Sequence, residues 1–285
     1  MHRIRRKREL GPHITEYVIE APDIGHAACA GQFVVIRLHE QGERIPLTIV
    51  EYISDLSGIT VVVQSLGKTT QEMEDCFDEG DAVLDVVGPL GEPSEIENFG
   101  TVVCVGGGVG NAPLFPIARD LHNAGNHVIG VIGARSREHL IYEGKLGAVC
   151  DELHVMTDDG SQGEQGFTSD KLSELVGGAR GIDRVWAIGP PIMMKACVEV
   201  TRPHDVPTIV SLNPLMVDGT GMCGGCRVEV GGVTRFACVD GPEFDGHLVD
   251  FDGMMDRLRF YAEAEADALE RYAEHPCARK TEGGS

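Results

Sequence analysis

The stretch GTVVCVGGGVGNAPLFPIARDLHNAG, residues 100–125, is the one on which the fold class turns. Val102, Val103 and Val105 make an apolar run around Cys104, the glycines at 106, 107, 108 and 110 interrupt it, and helix-forming sequence resumes from Asn111. That order reads as a buried strand, a glycine turn and a helix. The rhythm continues: HVIGVIGA (127–134) and ELHVMTDDG (152–160) read as strands, TSDKLSELV (168–176) as a helix, DRVWAIG (183–189) as a strand, and PPIMMKACVEVTR (190–202) as a helix. Strands alternating with helices imply a parallel sheet of the nucleotide-binding type over residues 99–210.

Upstream, the pattern is different. HITEYVIEAP (13–22), GQFVVIRL (31–38), RIPLTIVEYI (44–53), GITVVVQSL (58–66) and DAVLDVVGPLG (81–91) are β-rich runs punctuated by Gly, Pro and Asp, with no long helix between them. Residues 1–98 are therefore expected to form a small antiparallel barrel. Downstream, a glycine- and cysteine-rich module is expected over 211–249, and a helix with a tail over 250–285. Phe251, Met255, Leu258, Leu269 and Tyr272 recur at helical spacing and supply a face to pack on the same chain; TEGGS (281–285) reads as a loose tail.

With 285 residues the chain has room for two compact domains and an appendage. Its net charge of -21 presents a repulsive field to a polyanion, so no nucleic-acid partner is expected. No apolar run is long enough to cross a bilayer, and the basic start MHRIRRKREL is not followed by the apolar segment of a signal peptide, so no membrane is expected and the cytoplasm is the default location. In that compartment nine cysteines read as thiols or ligands rather than disulfides. Six of them, Cys29, Cys76, Cys104, Cys150, Cys197 and Cys277, stand singly and read as packing residues.

The other three lie in SLNPLMVDGTGMCGGCRVEVGGVTRFACVDGPEFDGH, residues 211–247, with the spacing Asp218-x4-Cys223-x2-Cys226-x11-Cys238. A plant-type [2Fe-2S] protein uses C-x4-C-x2-C and a distant fourth cysteine; aspartate in place of the first cysteine reproduces the pattern. Zinc would want one closed tetrahedron, and no second C-x2-C or histidine pair stands near. The cluster is the leading reading, with zinc and a redox dithiol as alternatives and Asp240 as a rival to Asp218 for the fourth ligand. The glycine turn is a weaker signal: it lets a backbone approach a pyrophosphate at a helix N-terminus, yet it does not match G-x-G-x-x-G.

Its weight comes from the company it keeps. RIPLT (44–48), GKTT (67–70), GPLG (88–91), the glycine turn and IGPPIMM (188–194), in that order, resemble the ferredoxin-NADP reductase superfamily over residues 1 to about 210. The resemblance implies an FAD-binding barrel in which Arg44 pairs with the pyrophosphate, Pro46, Leu47 and Thr48 lie along the flavin with Thr48 at its N5 edge, and Gly67, Thr69 and Thr70 cap the pyrophosphate. It also implies a pyridine nucleotide over Gly107, Gly108, Gly110 and Asn111 and against Gly189 and Pro190, with Arg135 and Asp159 near the ribose. Arg135 and Arg137 suit a 2′-phosphate and so NADP(H), whereas the relatives that the sequence resembles take NAD(H) here; NAD(H) is the expectation.

Over its full length the chain resembles the electron-transfer subunits of type B dihydroorotate dehydrogenase. Asp218 makes it more similar to the small subunits of NADH-dependent reduced ferredoxin:NADP oxidoreductases, electron-bifurcating transhydrogenases also described as sulfide dehydrogenases. That resemblance implies FAD, a [2Fe-2S] cluster on Asp218, Cys223, Cys226 and Cys238, a large partner subunit with a second flavin and [4Fe-4S] clusters, and ferredoxin reached through that complex. The alternatives are a dihydroorotate dehydrogenase or sulfide/polysulfide dehydrogenase subunit and, in another class, a zinc-binding interaction module.

Overall fold

The computed structural model describes residues 1–274, 276 and 277, so the expected TEGGS tail lies outside the described residues. The first ninety residues form eight strands, β1 (His2–Gly11), β2 (Ile14–Glu20), β3 (Phe33–Arg37), β4 (Arg44–Thr48), β5 (Glu51–Ile53), β6 (Gly58–Gln64), β7 (Ala82–Val83) and β8 (Asp85–Leu90), with the short helix α1 (Pro22–Ala27) and helix α2 (Lys68–Cys76) between them. They make two antiparallel sheets, in the orders β5-β6-β2-β1-β7 and β4-β3-β8. Tyr17, Ile19, Val34, Ile36, Ile59, Val61 and Met73 fill the space between the sheets. The branched side chains that favour these strands are the same ones that close the barrel's interior.

The second half is a seven-stranded sheet. It contains β9 (Thr101–Gly107), β10 (His127–Ala134), β11 (Glu152–Thr157), β12 (Glu164–Gln165), β13 (Arg184–Ile188) and β14 (Thr208–Ser211), all parallel, in the order β12-β11-β10-β9-β13-β14. Helices α3 (Asn111–Asn123), α4 (Glu143–Gly147), α5 (Thr168–Gly177) and α6 (Pro191–Thr201) are the crossovers. From β9 the chain builds outward through β10 and β11, then returns to place β13 on the other side of β9. The order thus reverses between β9 and β13, where a doubly wound sheet has its ligand crevice at the carboxyl ends.

After β14 the chain makes the hairpin β15 (Arg227–Val230) and β16 (Val233–Phe236), then β17 (Glu243–Asp245), then helices α7 (Phe251–Arg259) and α8 (Ala262–Glu274). Strand β17 is antiparallel to β14, with Phe244 opposite Val210, so the cysteine-bearing stretch is anchored on the edge of the parallel sheet. The single long helix expected after residue 250 is two helices, interrupted at Phe260 and Tyr261. Phe251 and Met254 of α7 are buried, whereas α8 buries none of its residues; its Tyr272 hydroxyl instead donates to Asp75 Oδ2 at 3.1 Å on α2.

That docking corrects one reading of the cysteines. Cys76 and Cys277, expected to be ordinary packing thiols, form a disulfide with a Cα–Cα separation of 5.6 Å across 201 residues of sequence. Two solitary cysteines so far apart carry no spacing signal; only the placement of α8 on α2 brings them together. Cys104 and Cys197 are free, buried thiols on β9 and α6.

Barrel and sheet share a core. Ile14, Val50 and Val62 of the barrel pack with Leu114, Phe115 and Tyr142 of the second half. Inside this apolar contact the Tyr142 hydroxyl donates to Glu16 Oε2 at 2.8 Å, and Lys145 Nζ donates to Glu51 Oε2 at 2.9 Å. Burial and the Glu16 carboxylate push the Tyr142 phenol far above its usual range, so it remains the donor. Tyr142→Phe is expected to lower the unfolding free energy by about 1.5–3 kcal/mol, the worth of a hydrogen bond to a charged group, in urea titrations followed by circular dichroism. An unchanged midpoint would show that this bond does not hold the two halves together.

Candidate flavin, nucleotide and iron-sulfur sites

Strand β4 lies antiparallel to β3, which sets Thr48 opposite Phe33, Leu47 opposite Val34 and Pro46 opposite Val35. Arg44, at the open end of β4, is exposed and makes no ion pair among the described residues. Across from it, Gly67 caps the N-terminus of α2, and a side chain there would meet open space. Thr70 Oγ1 is committed to this turn: it accepts from Gly67 N–H at 3.1 Å and donates to the Gly67 carbonyl at 2.9 Å. The Thr69 hydroxyl donates to Glu43 Oε2 at 2.6 Å. A free guanidinium, a helix N-terminus and a glycine with nothing over it suit a pyrophosphate, so the residues fit FAD.

The crevice between β9 and β13 is built by glycines that have no alternative. A Cβ on Gly110 would collide with the Ile188 carbonyl, and one on Gly107 with Met193 Sδ. Gly108 has φ +58 and faces open space. Gly189 approaches so closely that a Cβ there would lie 3.2 Å from Gly107 N, and Pro190 leads directly into α6. Asn111 is fully buried; its amide donates to the Gly133 carbonyl at 3.4 Å, tying the glycine turn to β10, while Oδ1 has no hydrogen-bond partner among the described residues.

Arg135 and Asp159 follow the carboxyl ends of β10 and β11, joined by a bond from Asp159 N–H to the Arg135 carbonyl at 3.3 Å. Arg135 is exposed, its Nη2 3.4 Å from His139 Nε2. Asp159 Oδ1 accepts from Ser161 N–H at 2.9 Å and from its hydroxyl at 2.6 Å, and these bonds hold the carboxyl below its usual range. Asp159 therefore closes its own turn.

The three cysteines and Asp218 fall into two pairs. Cys226 and Cys238 are buried with their sulfurs 3.1 Å apart. Asp218 Oδ2 accepts from Cys223 N–H at 2.8 Å and Oδ1 from Thr220 N–H at 2.9 Å; those amides hold its carboxyl below the usual range. Gly219, Gly221 and Gly224 all have positive φ, the conformation that lets the loop turn its amides inward. A two-iron cluster takes two protein ligands at each iron, so paired donors suit it better than they suit one tetrahedral ion. Asp240 points elsewhere: its Oδ2 accepts from Phe236 N–H at 2.7 Å. Burial and the neighbouring Cys226 push the Cys238 thiol up to about 12, so a metal must displace a proton to bind there.

What the sequence did not mark is the wall between the sites. Phe33 and Val35 of β3, directly opposite Thr48 and Pro46, share one buried core with Met216, Cys226, Ala237 and Cys238. Gly219 seals the contact, since a Cβ there would lie 3.1 Å from Val35 and 2.7 Å from Leu90. The alternation of GQFVVIRL indicates a strand but carries no sign of what lies on its second face.

Residues 213–250 match the model of the iron-sulfur cluster binding domain of dihydroorotate dehydrogenase B. The chain is 49% identical over 272 residues, 95% of each chain, to the dihydroorotate dehydrogenase B (NAD(+)) electron transfer subunit homolog of Thermotoga maritima. The chain belongs to the dihydroorotate dehydrogenase B electron transfer subunit family. Identity to that family's Bacillus pumilus electron transfer subunit is 30% over 251 residues, 85% of this chain and 94% of the relative. A solved structure reported for flavin-based electron bifurcation by NADH-dependent reduced ferredoxin-NADP oxidoreductase superimposes with a TM-score of 0.90 at 48% identity, covering 96% of this chain and 98% of its own. These relatives are ferredoxin-reductase-type flavoenzymes, in line with the barrel, parallel sheet and iron-sulfur module found here.

Asn substitutions separate the two candidate carboxylate ligands, because an amide oxygen still accepts the loop bonds but supplies no anionic ligand. Asp218→Asn is expected to reduce iron content to less than half that of the parent on anaerobic purification, and Asp240→Asn to leave it unchanged. The reverse pattern would move the ligand to Asp240.

Proposed function

We propose that this chain is the small subunit of an electron-bifurcating NADH-dependent ferredoxin:NADP oxidoreductase, exchanging a hydride with NAD(H) and single electrons with a large partner subunit. The coarser statement needs no proposal: it is a flavin-dependent oxidoreductase subunit that uses FAD, a [2Fe-2S] cluster and NAD(H) for electron transfer. When bound, FAD accepts two electrons as hydride and the cluster passes them on one at a time. The observation that carries the reading is the shared core in which β3 stands between the RIPLT strand and the cysteine pair.

The protein's own residues bind and orient. Arg44 meets the FAD pyrophosphate together with the α2 N-terminus at Gly67 and Thr69, while Thr70 keeps that turn closed. The Thr69 hydroxyl, bonded to Glu43, would have to turn from that carboxylate to reach the pyrophosphate. Pro46, Leu47 and Thr48 of β4 would flank the flavin, with the Thr48 hydroxyl available to hydrogen-bond its reactive edge. Gly107, Gly108, Gly110 and Asn111, with Gly189 and Pro190 beside them, would hold the pyridine nucleotide, with Arg135 and the turn closed by Asp159 near its ribose. Asp218, Cys223, Cys226 and Cys238 would hold the cluster, the first two and the last two already standing as pairs.

Aspartate at 218, where dihydroorotate dehydrogenase subunits ordinarily carry cysteine, favours the transhydrogenase assembly. Its partner is then a large flavin and [4Fe-4S] subunit that passes electrons to ferredoxin. Among the described residues no helix is long and apolar enough to cross a membrane, and we place the complex in the cytoplasm.

Anaerobic co-expression with the large subunit, followed by flavin and iron quantitation and reduction with NADH or NADPH, tests the assignment. One FAD and one two-iron cluster on this chain, reduced preferentially by NADH, are expected; zinc without flavin would overturn it. Arg44→Ala is expected to weaken FAD binding about 10- to 100-fold, the worth of a guanidinium-phosphate contact, in fluorescence titrations of the apoprotein. Unchanged affinity would remove Arg44 from the site.

A further inference from the structure

A cleft of about 650 Å³ opens between the barrel and α3, lined by Ala30, Val50, Glu51, Ser94, Pro116 and Arg119 among others. None of the residues assigned above to FAD or the pyridine nucleotide lines it. Its polar walls are already paired, Glu51 with Lys145 and Arg119 with Asp120. The inner end is different. Ser94 Oγ lies 2.7 Å from Glu243 Oε1, and Trp186 Nε1 donates to Glu243 Oε2 at 3.4 Å.

Glu243 is a partly buried carboxyl with no cationic partner among the described residues. Ser94 faces it from the segment after the barrel and Trp186 from β13; the buried Cys104 is opposite Trp186 in the β9 ladder, and Ser211 is opposite Glu243 in the β14 ladder. Glu95 and Arg184, the charged neighbours of Ser94 and Trp186 in sequence, are engaged with each other. The serine hydroxyl can donate to a carboxylate or accept from a carboxylic acid without changing place, so the pair accommodates either protonation state.

Alternation along β17 connects this carboxyl to the redox module. Glu243 points to Ser94 and Trp186, while the next residue, Phe244, packs against the core that holds Cys226 and Cys238. Strand β17 is thus the packing link between the two, and negative charge added at those cysteines opposes negative charge on Glu243.

We propose that Glu243, reached from the cleft through Ser94, is a redox-linked proton site that takes up one proton from solvent as one electron is stored at the adjacent cysteine-held cluster and returns it when the electron leaves. The inference rests on the cluster assignment under Proposed function. One electron and one proton enter together, leaving the module's net charge unchanged, with NADH as the electron source. The direction follows from linkage. Added negative charge favours the protonated carboxyl, so the reduced protein binds the proton more tightly. Burial already holds the Glu243 carboxyl above its ordinary range, which sets the pH window above that of exposed carboxylates. Below the window the site is protonated in both redox states, and above it in neither; between them the cluster's potential falls as pH rises.

Redox titrations of the holo chain at a series of pH values, with the cluster followed by electron paramagnetic resonance, test this. The parent is expected to show a pH-dependent potential within one window and flat limits on either side. Glu243→Gln, which keeps the shape and an acceptor for Ser94, is expected to abolish the dependence. Ser94→Ala removes a bond that stabilises the ionised form and is expected to shift the window to higher pH without removing it. A holo parent with a pH-independent potential, or Glu243→Gln with the parental dependence, overturns the inference and leaves the electron-transfer reading standing. A chain that takes up neither flavin nor iron overturns both.

Discussion

The structure depends on the packing of β3 against the cysteine loop. Phe33 and Val35 belong to the barrel by hydrogen bonding and to the cysteine module by side-chain burial. Because β4 is held in register on β3, the strand proposed to face the flavin and the loop proposed to hold the cluster are positioned by the same two residues. Neither site can shift without disturbing a core that is packed at the density of a protein interior.

The rest of the architecture holds that contact in place. The switch between β9 and β13 leaves a crevice at the carboxyl ends of the strands, and the Glu16–Tyr142 and Glu51–Lys145 bonds fix barrel and sheet to each other. Strand β17 ties the cysteine module to the edge of the parallel sheet, and the Cys76–Cys277 bridge fastens the end of α8 to the barrel. Three pieces that a linear reading separates are thus joined by four independent kinds of contact. Such joining suits electron transfer, for which cofactor separation must be kept rather than varied.

Much of this was legible in the sequence because its signals are local. The valines before Gly106 specify a buried strand, the glycines permit a close approach that the Ile188 carbonyl makes compulsory at Gly110, and Asp218-x4-Cys223-x2-Cys226 sets candidate donors within one loop. What stayed hidden is long-range. Nothing in GQFVVIRL says that its second face meets cysteines some 190 residues later; the solitary Cys76 and Cys277 pair only after α8 docks; and Glu243 reads as an ordinary acidic residue until β17 turns it toward Trp186. The helix after residue 250 shows the same limit, since helix-forming sequence carries no sign of the break at Phe260 and Tyr261.

The central claim is that flavin and cluster form one electron path inside this chain. Rapid anaerobic mixing of the chain, without its partner, with excess NADH, while flavin absorbance and the cluster's paramagnetic signal are followed together, tests it most directly. The account predicts that flavin bleaches first, that the cluster signal follows, and that the signal fails to appear in protein stripped of FAD. A cluster that stays oxidised while the flavin is fully reduced, or one that NADH reduces equally fast without FAD, would contradict it.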